Sequence, residues 1–524
     1  MSEHSTHDGF REQFPKNLFA NIAFFLVSIL IGILLVPYFI DTLGIAAYGL
    51  IPLVSAVTGY VAIVVQSLNT TVSRYLTIDL QRHDYPAANR TFNTAFFGLC
   101  VVIAFMIPVV LIISYFVPVI FSVPAGQETG AIILFICVSA AFFIRSLNGT
   151  FTVQLFAFNR LDLINIVNLV NLLVQVGLIV LFFWLKGPNL TYVGVAYLIG
   201  AIVASVIAII LAKNICPQLH LSLSSFDHSR VKDLGNMGVW VFINEIGVLL
   251  FLQMDLILVN ILFGSSSAGE YAIVLQLSVQ LRTIAGVLVG LLSPMILTFF
   301  ARHLIETMVR VTKSAVKLMG LTLALPIGLV CGFSPQLLTL WVGAEYAFLA
   351  PLLVLMTVHL IVNLAILPLI SIRFAYNQVK IPALVTLFMG VFNFVLAIIL
   401  SLYTGWGYYG VAAAGIIALT LTNVFFNPWY TSRILKVPVD TFLRPLIPGI
   451  FALAGIIGVT VVFSFFLNVY SLALLFVVMS AISMGYLIAL LLFGFNHFER
   501  NLLYSYMPPF LKNLFLHWTG TNEM

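Results

Sequence analysis

Apolar residues run along this chain in long blocks separated by short polar segments. A helix of ~20 apolar residues crosses the ~30 Å hydrocarbon layer of a bilayer. Fourteen such blocks can be drawn, at about 17–40, 46–70, 92–118, 130–158, 162–185, 190–212, 236–263, 270–300, 312–333, 350–372, 382–403, 409–432, 445–468 and 470–494. The expected fold is therefore an all-α polytopic membrane protein of about fourteen transmembrane helices. A short polar N-terminus, 1–16, precedes them. The first block is too long for the core of a signal peptide, so it is read as a retained span. Residues 213–235 form the longest stretch without an apolar span, and 495–524 form a mixed tail. Past Pro508-Pro509 that tail suits either a short amphipathic helix on the inner surface or simple docking on the protein.

Charge sets the orientation. Only 8% of the residues are charged, against about 25% in soluble domains. With both termini in the cytoplasm, 20 of the 23 Lys and Arg residues fall in inner segments, as the positive-inside rule requires. Lys186 alone lies outside, and Arg145 and Arg282 lie within spans. These loops account for the net charge of +5, which gives no reason to invoke nucleic acid. The four cysteines contain no CxxC pair, so neither a disulfide framework nor a thiolate metal site is indicated. No phosphate-cradling GxxxxGK[ST] occurs, so the chain carries no ATP motor. No cofactor is expected.

The chain also repeats itself. Phe156-Ala-Phe-Asn159 ends the fourth span, and Phe374-Ala-Tyr-Asn377 ends the tenth, 218 residues later. Tyr192-Val-Gly-Val-Ala196 opens the sixth, and Tyr408-Tyr-Gly-Val-Ala412 opens the twelfth, 216 later. Gly44…Tyr48 after the first span is echoed by Gly264…Tyr271 after the seventh. Two lobes of six helices follow, an N-lobe over 17–212 and a C-lobe over 236–436. Because six is even, they relate by a pseudo-two-fold axis along the membrane normal. Residues 213–235 are the inter-lobe linker, and the two spans in 445–494 stand outside the repeat.

These two lobes, with Leu43-Gly…Tyr48-Gly49, the Asp255-bearing seventh span followed by Gly264…Gly269-Glu-Tyr271, and Leu340-Trp-Val-Gly-Ala-Glu-Tyr346, resemble the multidrug/oligosaccharidyl-lipid/polysaccharide (MOP) exporter superfamily. The similarity runs from Asn17 to about Lys436 and is nearest to the polysaccharide transporter branch, the Wzx-type O-antigen flippases. It implies two lobes around a central cavity that opens alternately to each side. It also implies an undecaprenyl-diphosphate-linked oligosaccharide as cargo, the bacterial inner membrane as location, and polysaccharide polymerase or chain-length machinery as partners.

Charged and polar residues inside the spans are the functional candidates, because a charge in hydrocarbon costs ~3 kcal/mol or more and survives only facing protein or water. Arg145, Asn148, Thr152 and Asn159 recur at i, i+3, i+7 and i+14 on one helical stripe. Arg145 suits a cationic wall for an anionic head group, since guanidinium stays charged and binds phosphate bidentately. The alternative is a structural ion pair with Glu245 or Asp255. In the eighth span, Gln276, Gln280 and Thr283 share one face, and Arg282 shares another with Ser278, Gly286 and Ser293. Both faces cannot line one narrow passage, and Arg282 is read as the lining residue.

Asp255 shares a face with Asn244, and Glu245 lies about a quarter-turn round from Asn244. A low dielectric disfavours a carboxylate's charged form, so Glu245 and Asp255, with Asn244, are candidates for coupling to H+ or Na+. Their alternative is pairing with Arg145 or Arg282. The second span carries Ser55, Gly59, Gln66, Asn69 and Ser73 on one face and ends near Arg74; the first carries Asn17, Asn21, Ser28 and Gly32. Such stripes suit a sugar passage or interhelical hydrogen bonding. Arg74 is either an inner anchor or a phosphate contact at the cytoplasmic mouth. His359 and Asn363 share a face of the tenth span, as a titrating pair or a packing contact. Pro108, Pro294, Pro326 and Pro368 mark potential kinks.

Three functions compete. A flippase moving a lipid-linked oligosaccharide needs a cationic cavity and contact with membrane lipids. A MATE-like antiporter of drugs or metabolites against cations predicts an acidic cavity, which two midspan arginines oppose. A glycosyltransferase or polymerase needs catalytic outer loops, yet Asp41, Glu128, Glu270 and Glu345 stand one to a loop without paired carboxylates. The reading is a secondary transporter rather than an enzyme.

Overall fold

The computed structural model describes residues 3–82, 84–227, 243–466, 471–496 and 499–500, and every regular element among them is helical. Among the described residues, twelve helices are long and apolar enough to cross a membrane. They are Pro15–Leu43, Tyr85–Tyr115, Glu128–Ala157, Leu161–Lys186, Leu190–Ile215, Met254–Phe300, Ile305–Gly332, Ala344–Ala365, Lys380–Tyr403, Tyr408–Leu435, Asp440–Ser464 and Leu472–Gly494. The protein is thus multi-pass. The other two of the fourteen expected blocks, the second and the seventh, are described in part, as the apolar helices Ile45–Tyr60 and Ile243–Leu252, and the second runs on within the helix Leu50–Gln81. Outward-facing Phe105, Trp184, Phe388, Phe451 and Phe476 remain exposed, as side chains bathed in lipid are.

The connection after the seventh span is tighter than the gap between the expected blocks 236–263 and 270–300. Helix continues on both sides of one non-helical residue, Gly264, at φ 91, ψ 174. Gly44, 220 residues earlier, does the same at φ 81, ψ 158. Only glycine takes such a conformation without steric penalty, so a single residue interrupts the helix and Ser265-Ser-Ser already belongs to the next one.

The repeat holds at the other marked positions. Asn159 (φ 55) and Asn377 (φ 54) are both left-handed. In each, the asparagine N–H bonds the carbonyl three residues back, Phe156 or Phe374, and the next N–H bonds the carbonyl five back, Leu155 or Arg373. This is the Schellman helix stop, with Asn in place of the usual glycine. Equivalent residues also meet. A Cβ on Gly49 would lie 2.7 Å from the Gly269 backbone nitrogen, and one on Gly269 would strike the Ile45 carbonyl. Gly49 and Gly269 are 220 residues apart, the offset of Gly44 and Gly264. In a two-fold pair a residue touches its own equivalent only near the axis, so this crossing marks the axis of the repeat.

Two compact units emerge. The first comprises Met1–Gln276 with Val379–Leu419, and the second Leu277–Gln378 with Thr420–Met524. In the first unit, span four packs against span six, where Gly194 lets Leu134 and Cys137 approach. Phe92, Phe151, Leu76 and Cys216 form part of its core. In the second unit, a larger core joins Met319, Leu323, Ile327, Leu360, Leu364, Leu453, Ile456 and Leu475. The two spans outside the repeat belong to it: Gly449 lies against Gly320, Ile456 against Gly328 and Thr460 against Gly332. Small residues at such spacing bring membrane helices together. Tyr486 Oη donates to the Leu321 carbonyl at 2.6 Å, and Lys317 pairs with buried Glu499 at 2.7 Å. The tail beyond, 501–524, lies outside the described residues.

Candidate functional site

Span four, Glu128–Ala157, is packed along most of its length. From Gly130 to Leu155 the one exposed residue is Arg145. Protein nonetheless surrounds its guanidinium on most sides, with Tyr197 of span six in electrostatic reach. Hydrocarbon is a costly place for a guanidinium. No carboxylate forms a salt bridge with Arg145 among the described residues. Thr152, about two turns further on, is half-buried and donates to the Gly149 carbonyl at 3.0 Å. Asn148 departs from the expected stripe: it is 7% exposed, and its Oδ1 has no hydrogen-bond partner among the described residues. Asn159 accepts from Asn17 Nδ2 through its carbonyl at 2.8 Å, and Asn21 Oδ1 accepts from Asn165 at 2.6 Å. Asn17 and Asn21 therefore tie helices together, while Ser55 of the second span is exposed.

Asp255 is 9% exposed and sits just past the interruption at Gln253 in its helix. Tyr271 Oη donates to its Oδ2 at 3.2 Å, and Asn393 Nδ2 approaches Oδ1 at 3.5 Å. A Cβ on Gly415 would come within 3.3 Å of Oδ2. Tyr60, whose hydroxyl reaches the Met254 sulfur at 3.3 Å, is electrostatically coupled to the carboxylate. Asn393 also donates to the Leu250 carbonyl at 3.1 Å, yet its own Oδ1 is buried without a hydrogen bond. Oxygen donors from Asp255, Asn393 and Tyr271 thus converge on a small buried volume, the chemistry that a hard cation or a proton takes. Glu245 and Asn244 are half-buried about three turns earlier, with no side-chain hydrogen bond among the described residues.

In the second unit, Ser278 is 1% exposed and reaches the Met356 carbonyl at 3.5 Å. Arg282, half-buried, is electrostatically coupled to His359. Gln276 and Gln280 are also half-buried. Polar side chains continue from His359. Asn363 Nδ2 meets His359 Nδ1 at 3.0 Å and Thr420 Oγ1 at 3.1 Å. Asn423 donates to the Asn363 carbonyl at 3.2 Å, Asn427 donates to Asn423 Oδ1 at 2.9 Å, and Arg373 Nη1 donates to Asn427 Oδ1 at 2.7 Å. This ladder follows a stretch where span ten breaks at His359 and Ile366–Pro368 and span twelve widens into a π-helix, Leu421–Phe426, a feature common at functional sites.

Several sequence candidates fall elsewhere. Gln66, Asn69 and Arg74 lie on the helix Leu50–Gln81, but their side chains are outside the described residues, as are those of Ser73, Ser293 and Pro294. Sequence reading missed Tyr60, Tyr271, Asn393 and Gly415 around Asp255, and Asn423, Asn427 and Arg373 in the ladder. Asn423 and Asn427 stand at i and i+4 within an apolar run, a spacing that could have signalled a polar face. Arg373 reads as an inner-loop anchor but is 8% exposed.

Residues 14–300 match the family described as polysaccharide biosynthesis protein. The chain is 32% identical over 445 residues, 84% of its length and 88% of the relative's, to the uncharacterized membrane protein EpsK of Bacillus subtilis (strain 168). Among solved structures, it is similar to an inward-facing multidrug resistance MATE family transporter of the MOP superfamily. There the TM-score is 0.63 at 14% identity, covering 78% of this chain and 94% of that one. It is likewise similar to the lipid II flippase MurJ in an inward closed conformation, with TM-score 0.62 at 14% identity, covering 90% and 97%. At those identities the likeness is one of fold.

Proposed function

Since the chain belongs to the polysaccharide biosynthesis protein family, we propose that it is a flippase that moves an undecaprenyl-diphosphate-linked oligosaccharide from the inner to the outer leaflet of the bacterial inner membrane. Arg145 carries this reading. An exposed, enclosed guanidinium halfway along a buried helix offers a fixed positive charge to a diphosphate. A cationic drug would be repelled by it, which disfavours the antiporter alternative. Thr152 and Ser55 supply hydroxyls suited to sugars, and Arg282 is the second candidate cation. Alternating access follows from the repeat, with the Gly49–Gly269 crossing on its axis.

Coupling is assigned to Asp255. Binding H+ or Na+ among Asp255, Asn393 and Tyr271 neutralises a buried carboxylate, and dissociation restores its charge. Glu245, half-buried on the helix before the interruption at Gln253, is the second candidate carboxylate.

The test is surface glycan. Arg145→Ala should lower surface polysaccharide at least tenfold with unchanged protein level, and Arg145→Lys should retain part of it, because ammonium keeps the charge but not the fork. Wild-type glycan in Arg145→Ala would remove the cationic-wall mechanism.

A further inference from the structure

At the inner end of span three lies a cavity of about 640 Å³, lined by Tyr85, Pro86, Asn89, Arg90, His220, Ser224, Ser225, Phe226 and Asp227. Its far wall is the segment following span six, lashed to span three by side chain–backbone hydrogen bonds. Asn89 donates to the Gln218 carbonyl at 2.8 Å and accepts from the His220 N–H at 3.1 Å. Asn93 donates to the His220 carbonyl at 3.0 Å and accepts from the Ser222 N–H at 2.7 Å. Thr94 Oγ1 accepts from the Asp227 N–H at 2.9 Å. Asn93 and Thr94 are buried, so this wall is built rather than draped, and the volume falls within the ~300–1,000 Å³ of small-ligand sites.

The lining separates into committed and open groups. Asn89 is used in holding the wall. The Gln218 carbonyl only accepts, so its 3.2 Å contact places a proton on His220 Nδ1 and leaves Nε2 of the neutral ring as an acceptor. Arg90 and Ser225 make no side-chain hydrogen bond or ion pair among the described residues. Tyr85 and Phe226 bring aromatic surface, and Asp227 brings a carboxylate to the same wall.

We propose that this cavity binds a hydroxyl-bearing phosphate ester at the cytoplasmic face of the membrane. The source is either the glycosyl diphosphate head of a lipid-linked sugar or the glycerophosphate head of a phospholipid. Arg90 takes a phosphate oxygen in a charge-assisted pair. His220 Nε2 accepts from a ligand hydroxyl, and Ser225 supplies a group that both donates and accepts. These two contacts favour an ester rich in hydroxyls over inorganic phosphate. Nothing here uses Arg145 or Asp255.

The test uses the full-length protein in detergent and two probes, dihexanoyl phosphatidylglycerol and farnesyl-diphospho-N-acetylglucosamine, read by native mass spectrometry. Wild type should bind at least one saturably, and the one bound identifies the source. Arg90→Ala should weaken that binding at least tenfold. Dihexanoyl phosphatidic acid, which lacks headgroup hydroxyls, should bind more weakly than phosphatidylglycerol where the latter is bound, and His220→Ala should narrow the difference. Arg145→Ala should leave this binding unchanged, which separates the cavity from the transport reading. Failure of wild type to bind either probe, binding to Arg90→Ala and His220→Ala as tight as to wild type, or competition by equimolar inorganic phosphate would overturn the proposal. Unchanged thermal melting of both variants excludes unfolding as the cause of a loss.

Discussion

Asp255 and Arg373 show two ways for an ionisable residue to live inside an apolar molecule. Asp255 is met by a phenol and an amide, groups whose protons suit a carboxylate without cancelling its charge. Asp255→Asn keeps the shape and removes the charge. Transport by this variant should lose its dependence on pH or on sodium, measured as glycan translocation in membrane vesicles across a pH series with and without Na+. An unchanged dependence would exclude Asp255 as the coupling group. Arg373 is buried deeply, and its Nη1 donates to Asn427 Oδ1 at 2.7 Å. Removing one partner of a buried charged group costs about 3 kcal/mol. Asn427→Leu, which keeps the volume, should therefore lower the melting temperature by several degrees. Asn427→Asp should lower it less, because a carboxylate still accepts from Arg373 although it loses the bond donated to Asn423. Asp255 and Arg145 stood out in the sequence because a charge within an apolar run is conspicuous. Tyr60, Tyr271 and Asn393 did not, because an aromatic or a single amide fits a span without comment, and only the fold brings four separate helices to one carboxylate.

Elements were legible where physics forces one residue type. Gly44 and Gly264 announced themselves as a repeat, and both take the positive φ that glycine alone adopts freely. Asn159 and Asn377 end their helices in one Schellman geometry. The gap between the blocks 236–263 and 270–300 looks longer in the sequence than it is, because three serines resemble loop yet are tolerated at a helix start. The crossing at Gly49 and Gly269 gives a sharper test of the repeat. A methyl group at position 269 meets the Ile45 carbonyl, a backbone atom that cannot rotate away. Gly269→Ala should force the two helices apart at a cost of ~1–3 kcal/mol, lowering the melting temperature. The mirrored Gly49→Ala should do the same, since it meets the Gly269 backbone at 2.7 Å. Gly98→Ala, where a Cβ meets nothing within 4 Å, is the control and should stay at the wild-type melting temperature. Loss confined to one member of the glycine pair would argue against their equivalence.

At the scale of the whole molecule, a multi-pass helical protein of this fold keeps one enclosed arginine exposed in the middle of an otherwise packed helix. A static membrane anchor gains nothing from that, because hydrophobic residues of similar volume would pack the same place at lower desolvation cost. A transporter does gain, since the charge is needed only while an anionic cargo is present. The consequence is visible in the lipid pool. Deleting the gene should leave the lipid-linked oligosaccharide complete but confined to the cytoplasmic leaflet, where an impermeant enzyme or lectin added to right-side-out spheroplasts cannot reach its sugar. Restoring the wild-type chain should expose it within minutes, and Arg145→Ala should restore exposure at least tenfold more slowly. A membrane glycosyltransferase or polymerase would give a different pool: truncated or unpolymerised sugar, equally accessible outside. An antiporter of cationic drugs would leave the pool unchanged and alter drug sensitivity instead. The same measurement therefore separates all three functions, because only a flippase changes the side of the sugar without changing its structure.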